Sequence, residues 1–464
     1  MAAGVAAAGA VVAACGPSAG QAAASTTPAA KIVTTIIWRP WYNFNQAQSK
    51  TGHALLMQGI QPWLDKHPGV AVTITYMGYQ QTTVAAILAG TGPDIFADWV
   101  LPLFTSGNLL LDLSKYVRQN NVDLTIFPQR DMQGFSQGGG LWALPSYLHL
   151  ISPAVNLSVL DQLGQTYPEP GWTHLQWTQL MKAVTHKSAT AKDRRQGGQF
   201  YWSGYSSVGS DPAPFYLAGF GGEYVDPSDS TKCYLDNPGS QAALEWCYEL
   251  LTEGVCGTSG LDFKSGQQVV GTTDTAGGLI NAAQSYGGLK WQIYDEFAWP
   301  KGKVSYAASD FYAINAATKN PDLCWDFMDF LCIQQDWQKW MVNLALNGPN
   351  QKALYPFWET TVKQVAPPLA KIDLSVFTRQ MQNDEPYFGL LYKYASQQAG
   401  QAIAAGTKAA VTNPQIVPQV CKQTTDQINA LEVASASESV VQSALAKQFP
   451  TANGTVIAGV APGL

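Results

Sequence analysis

Charge is what this sequence has least of. Asp, Glu, Lys and Arg make up 13% of its 464 residues, about half the usual share. The net charge is −6 and no basic run occurs, which excludes the electrostatic footprint of a nucleic-acid binder. Fixed-spacing catalytic signatures are missing as well. Apart from Gly16-Pro17-Ser18-Ala19-Gly20, which lies in a Ser/Thr/Pro/Ala/Gly-rich stretch and follows no strand, there is no G-x-S-x-G, and there is no Walker loop, no H-E-x-x-H and no G-x-G-x-x-G. Gly219-Phe220-Gly221-Gly222 has the look of half a nucleotide loop but follows no clear strand, and it reads as a turn; Gly138-Gly139-Gly140 is likewise a loop. With no Cys-x-x-Cys and no Cys/His cluster, no zinc site is expected, and no other metal or cofactor is implied. No segment reaches the ~18 continuous apolar residues that a membrane span needs.

Hydrophobic residues, at 46%, supply sizeable cores, and the length suits two to three domain-sized units. The polar surface must come from Gln, Asn, Ser and Thr, with 15 Trp and 20 Tyr beside them. That composition suits neutral, hydroxyl-rich ligands. Met1 to Ala14 is an uncharged Ala/Gly/Val run ending in Val12-Ala13-Ala14-Cys15-Gly16. An apolar residue, two small ones and a Cys form a lipoprotein processing pattern, with Cys15 as the lipidation site and the run as a signal segment. No Lys or Arg precedes it, which departs from the usual signal. Gly16 to Ala30 has the Ser/Thr/Pro/Ala/Gly composition of a flexible tether. Cys233, Cys247, Cys256, Cys324, Cys332 and Cys421 follow, an even number that permits disulfides in many pairings. Cys233 with Cys256 is the candidate pair, since Lys232–Asp236 reads as a strand and Ser240–Glu253 as a helix returning along it.

Strands and helices alternate. Lys31–Trp38 and Val70–Tyr76 are β-rich, with a helical pattern of Leu55, Leu56, Ile60, Trp63 and Leu64 between them. Thr82–Ala89 is a short helix, and Gly92-Pro93-Asp94 turns into a strand at Ile95–Ala97, completing a βαβαβ unit with a parallel sheet. Pro153–Gly164 and Leu175–Thr185 read as helices, Phe311–Asn315 as a strand, and Asn320–Leu344 as one long helix. Pro386–Ala405 and Pro414–Lys447 make a helical last third. Residues from Pro450 onward read as a frayed tail.

In open parallel sheets ligands sit beyond the carboxyl ends of the strands. Aromatics gather there beside polar groups: Trp38-Arg39-Pro40-Trp41-Tyr42, Asp98-Trp99, Tyr147 followed by His149, Phe297-Ala298-Trp299 and Asp310-Phe311-Tyr312. A sugar ring has an apolar C–H face and a fringe of hydroxyls, which an aromatic plate with neighbouring Asp, Asn or Arg accommodates. Trp63, Trp325, Trp337 and Trp340 fall at core spacing on helices. A carboxylate pair for glycoside hydrolysis, drawn from Asp94, Asp98, Asp274, Asp295, Glu296 and Asp310, is the competing chemistry, although the sequence shows nothing that sets their pKa values apart.

Five segments, in order, carry a family pattern. They are AAILAGTGPDIF (Ala85–Phe96), LLLDLSKY (Leu109–Tyr116), GLWALPSYLHLISPAVN (Gly140–Asn156), Pro170–Val184 and Ala307–Leu331. Together, behind the lipoprotein pattern, they resemble the extracellular solute-binding proteins of family 1, the maltose-binding-like subunits of ABC sugar importers, over about residues 31–445. The third segment departs in having Trp142 and Val155 in place of the usual aromatics, and the fourth lacks the family's acidic residue at Gln176-Trp177-Thr178-Gln179.

The resemblance implies a type II periplasmic-binding fold of two α/β lobes with hinge strands between them and a helical C-terminal part. Residues 31–146 plus 305–350 would form one lobe and 147–304 plus 351–447 the other, after a 1–30 signal and tether and before a 448–464 tail. Crossovers would fall near Tyr147–Ser152 and Ser305–Phe311. Ligand contacts carried over by position are Trp38, Arg39, Trp41, Asp98, Trp99, Tyr147, Trp299, Asp310 and Tyr312. The implied partners are a sugar or oligosaccharide and a membrane permease, with the protein monomeric and held extracytoplasmically by its lipid. The same fold serving a polyamine, peptide or phosphodiester, an extracellular glycan-active enzyme, and a purely structural lipoprotein remain alternatives.

Overall fold

The computed structural model describes residues 34–435 apart from 41–49, 79–80, 99–100, 106, 137–138, 200–213, 227–228, 258–260, 276–277, 346, 382–383, 386–404 and 406–412. Cys15, Trp41, Trp99 and nearly all of the Pro386–Ala405 helix therefore lie outside the described residues.

The chain opens with strand β1 (Thr34–Arg39), helix α1 (Lys50–Leu64), β2 (Val70–Ile74), α2 (Gln81–Leu88) and β3 (Ile95–Asp98). β1 lies between β2 and β3 and is parallel to both, with Trp38 opposite Ile74 and Ile95. Short helices α3 (Pro102–Thr105), α4 (Ser114–Gln119) and α5 (Gln129–Phe135) lead to the long strand β4 (Leu144–Asn156). Then come α6 (Leu157–Leu163), α7 (His174–Val184), β5 (Gln196–Gln199), α8 (Pro214–Gly219), β6 (Val225–Asp226), β7 (Asp229–Cys233), α9 (Pro238–Thr252), β8 (Cys256–Gly257), β9 (Gln268–Asp274), α10 (Gly278–Ser285) and β10 (Trp291–Ile293). The hairpin β11 (Ala298–Trp299) and β12 (Gly302–Lys303) precedes β13 (Ser305–Ile314). Helices α11 (Pro321–Cys332), α12 (Gln335–Ala345), α13 (Tyr355–Val365) and α14 (Ser375–Gln380) follow, and a last helix spans Val417–Ser435.

The main sheet runs β2-β1-β3-β13-β4-β9-β5-β8. Two strands join its halves. The first half of β4 pairs antiparallel with β13, Asp310 facing Tyr147 and Ala307 facing Leu150. The second half of β4 pairs antiparallel with β9, Ile151 facing Asp274. β13 also pairs antiparallel with β3, so both parallel units hang on one antiparallel centre.

Three readings of the sequence change. Pro153–Asn156 is strand, not helix: Pro153 faces Thr272, its carbonyl accepts from the Tyr294 N–H, and the helix starts only where Asn156 caps Val159. Proline had looked like a helix start. The single helix expected over Asn320–Leu344 is two. At the break the Cys332 and Ile333 carbonyls accept from the side-chain amides of Asn350 and Gln351, partners too distant in sequence to foresee. The third is the disulfide. β7 pairs with β6 in a separate two-stranded sheet, while β8 sits at the edge of the main one, so the returning helix does not bring Cys256 back to Cys233. All six cysteines described are buried and none is in a disulfide. The Cys233 sulfur lies 3.9 Å from the Thr425 hydroxyl and the Cys256 sulfur 3.7 Å from the Met181 sulfur.

Candidate functional site

Parallel pairing brings the carboxyl ends of β1 and β3 side by side, placing Arg39 next to Asp98. Both are buried, at 1% and 0% exposure. The Arg39 guanidinium donates to the Ala97 and Met77 carbonyls and lies 3.5 Å from the Asp98 carboxylate. A charge this deep is stable only when paired and hydrogen-bonded, and this pair locks the two strand ends together.

Next to it, β13 presents Asp310 and β4 presents Tyr147 and His149. The irregular register between Asp310 and Phe311 turns Asp310 beside Tyr147, whose hydroxyl donates to the carboxylate. On the flank of β13, the Ser309 hydroxyl donates to the buried Asp131 of α5. On the other flank, β9 ends in Asp274, 3.6 Å from His149 Nε2. The other oxygen of Asp274 accepts from the Gly278 N–H at 2.9 Å, opening α10. Five strands thus deliver Arg39, Asp98, Tyr147, His149, Asp274 and Asp310 to one region. Asp310 is 6% exposed, whereas the His149 and Asp274 side chains are 21% and 27% exposed, so the latter two form the part that solvent and solute reach.

Burial pushes the Asp310 carboxyl up to about 7; Tyr147 and His149 oppose this, and Asp98 and Asp131 reinforce it. Burial works against a charged His149, but Asp274 and Asp310 outweigh it and hold the imidazole above its usual value. Glu296, in the loop beyond β10, is pushed up to about 8 by burial, lowered by the Phe297 N–H and raised by Asp295. It borders a small cavity of about 20 Å³ with Pro153, Gln199 and Thr272. A larger cavity, about 540 Å³, lies toward the other end of β9, walled by Phe263, Gln268 and Tyr286. Its size does not make it the site, because the buried ionisable groups gather elsewhere.

The sequence-derived contacts divide. Arg39, Asp98, Tyr147 and Asp310 meet as expected of strand ends. Three of the described aromatics, Trp38, Tyr312 and Trp299, are packed in the core and present no exposed face. Trp38 is fully buried beneath the sheet against Phe327, Trp337 and Tyr312, at ring distances of 5.4, 5.6 and 6.3 Å. Tyr312 is 3% exposed, in the same core. Trp299 is 4% exposed, surrounded by His174, Tyr216, Phe220, Trp246 and Phe297, and its indole N–H donates to the Val304 carbonyl. Position near a strand end was right in each case, but the side chain points into the core. Asp131 and Asp274 were missing from the expected contacts. Asp274 was legible, since QVVGTTD is a β-rich run closed by a carboxylate, like the other strand ends. Asp131 gave no such signal.

A sequence profile for bacterial extracellular solute-binding proteins matches residues 47–332. No curated protein matches in sequence. Solved structures do match in fold. An ABC substrate-binding protein from Listeria monocytogenes in complex with cycloalternan shares 15% identity and a TM-score of 0.67, over 86% of this chain and 98% of that one. A maltose-bound protein from T. maritima shares 18% and 0.63, over 86% and 100%. A protein from Mycobacterium tuberculosis in complex with glycerophosphocholine shares 16% and 0.65, over 85% and 98%. The architecture is therefore the two-lobed type II fold of solute-binding proteins, a mixed sheet flanked by helices with a helical C-terminal part.

Proposed function

We propose that this chain, which belongs to the bacterial extracellular solute-binding proteins, captures a sugar or oligosaccharide at the strand crossing and delivers it to an ABC permease. The observation that carries this reading is the convergence of Arg39, Asp98, Tyr147, His149, Asp274 and Asp310 from five strands. Carboxylate and imidazole acceptors suit sugar hydroxyls, which donate to them. The composition agrees, being poor in charge and rich in amides and hydroxyls. Among the structural neighbours, cycloalternan and maltose occupy two.

In this reading residues 31–146 with 305–350 form one lobe, residues 147–304 with 351–447 the other, and β4 and β13 are the hinge strands. Trp41 and Trp99 are the remaining aromatic candidates for the cleft. Cys15 carries the lipid that keeps the protein at the membrane, as a monomer, outside the cytoplasm.

A second reading has a specific observation behind it. The carboxylates around His149 outnumber the imidazole, which favours a cationic solute over an anionic one, within the same fold. The test is the melting temperature of the protein against neutral sugars, polyamines and phosphodiesters, with product analysis. A saturable rise with a neutral sugar that is recovered intact supports sugar capture. A response only to polyamines moves the reading to a cation, and release of shortened sugar would mean hydrolysis.

A further inference from the structure

The strand crossing holds more negative than positive charge where a ligand would close over it. Two carboxylates, Asp274 on β9 and Asp310 on β13, face one imidazole, His149 on β4. The other charges acting on Asp310 are Asp98 at the end of β3 and Asp131 on α5, both negative. Arg39 on β1 is committed to Asp98 and to two carbonyls, and Tyr147 contributes a neutral hydroxyl. The His149 and Asp274 side chains are 21% and 27% exposed, so water reaches them. Water screens the excess charge. A solute seated on that face, with the lobes closing around it, removes the water and strengthens every unbalanced interaction.

We infer that binding a neutral sugar at this crossing is coupled to uptake of one proton from solvent by the Asp310 carboxylate, so that solute capture strengthens as the surroundings become more acidic. This rests on the reading of the crossing as the sugar site. The geometry selects Asp310 as the acceptor. It is nearly enclosed, the imidazole it shares with Asp274 is the cation that acts on it among the described residues, and three carboxylates surround that pair. Protonation leaves one carboxyl O–H, which donates to a neighbouring oxygen or to a sugar hydroxyl, and leaves His149 paired with Asp274 alone. The cost of burying a second carboxylate is thereby removed.

Linkage sets the size of the effect. With Asp310 at about 7, half of the molecules lack the proton at pH 7, so binding takes up about half a proton there and close to one at pH 8. Affinity then falls about five-fold between pH 7 and pH 8.

The experiment is isothermal titration of the full chain with maltose and with cycloalternan, at pH 7 and pH 8, in buffers of different ionisation enthalpy. The slope of measured heat against buffer ionisation enthalpy gives the protons exchanged. Uptake that grows from pH 7 to pH 8, and that vanishes in Asp310→Asn, supports the inference. A slope of zero, proton release, or an unchanged slope in Asp310→Asn overturns it. Should Asp310→Asn not fold, the parent at pH 5.5 serves, because a carboxyl at about 7 already holds its proton there and the uptake must fall close to zero; an undiminished slope at pH 5.5 overturns the inference equally. Saturable binding without any proton exchange sinks this inference and leaves the sugar reading standing, whereas no binding of either sugar counts against the sugar reading itself.

Discussion

Replacing Trp299 with alanine separates a core residue from a binding plate. Its sequence position, near a strand end, suits a platform for a sugar ring. The structure instead places it at 4% exposure in an aromatic cluster, with ring centroids of Phe297 at 5.0 Å, Trp246 at 5.6 Å, Tyr216 at 5.7 Å and Phe220 at 5.9 Å. The ring closes over Gly219 so tightly that a Cβ there would come within 2.5 Å of it. Trp299→Ala removes these contacts and the 3.1 Å hydrogen bond to the Val304 carbonyl, leaving a cavity that rigid neighbours fill poorly. Substitutions of this kind cost about 3–5 kcal/mol, and the orphaned carbonyl adds to that. Urea denaturation should show the loss as a lower midpoint, and any variant that folds should bind its solute with affinity within a few-fold of the parent. A variant of undiminished stability whose sugar binding is abolished would refute the burial argument and restore Trp299 as a plate.

Glu296 gives a pH prediction. Its folded-state pKa is raised from 4.5 to about 8 by burial, so the folded protein holds the proton more tightly than the unfolded chain does. The associated stability is complete below about pH 4.5 and is lost as pH rises toward 8. Glu296→Gln cannot ionise, so denaturation at pH 5 and pH 8 should show it gaining on the parent by about 3–4 kcal/mol at the higher pH; a constant difference would contradict the burial of the carboxyl. Cys15→Ala, which removes the thiol that would carry the lipid, should move the protein from the membrane fraction to the soluble fraction, and persistence in the membrane would overturn the anchor.

The fold was legible because its signals are local. VAVTI, IFAD and the Gly92-Pro93-Asp94 turn each announce their element over a few residues. The alternation of elements dictates the parallel units, and the order of weak motifs points to the family. What the sequence hid depends on contacts between distant segments. The break between α11 and α12 is set by Asn350 and Gln351. The separation of Cys233 from Cys256 is set by which sheet each strand joins. The site shows the same division. Period-2 alternation says that Arg39 and Trp38 point to opposite faces of β1, but it does not say which face is covered. Helices α11 and α12 cover the Trp38 face with Phe327 and Trp337, and so an aromatic expected at the ligand belongs to the core. Polar residues at strand ends were the more dependable signal, since a buried charge must find partners and those partners gather where strands meet.

The central claim is that solute binds where β4, β9 and β13 meet, and the affinity of His149→Ala for whichever solute saturably raises the parent's melting temperature tests it most directly. His149 is partly exposed and makes a 3.6 Å contact with Asp274, and Asp310, held at about 7, can take up a proton when the imidazole is gone, so its removal should leave the melting temperature within a few degrees of the parent. The account predicts binding weakened at least ten-fold, since truncating one partner of a charge pair at a binding face costs about 2 kcal/mol or more. A folded His149→Ala protein that binds with unchanged affinity would place the solute elsewhere in the molecule.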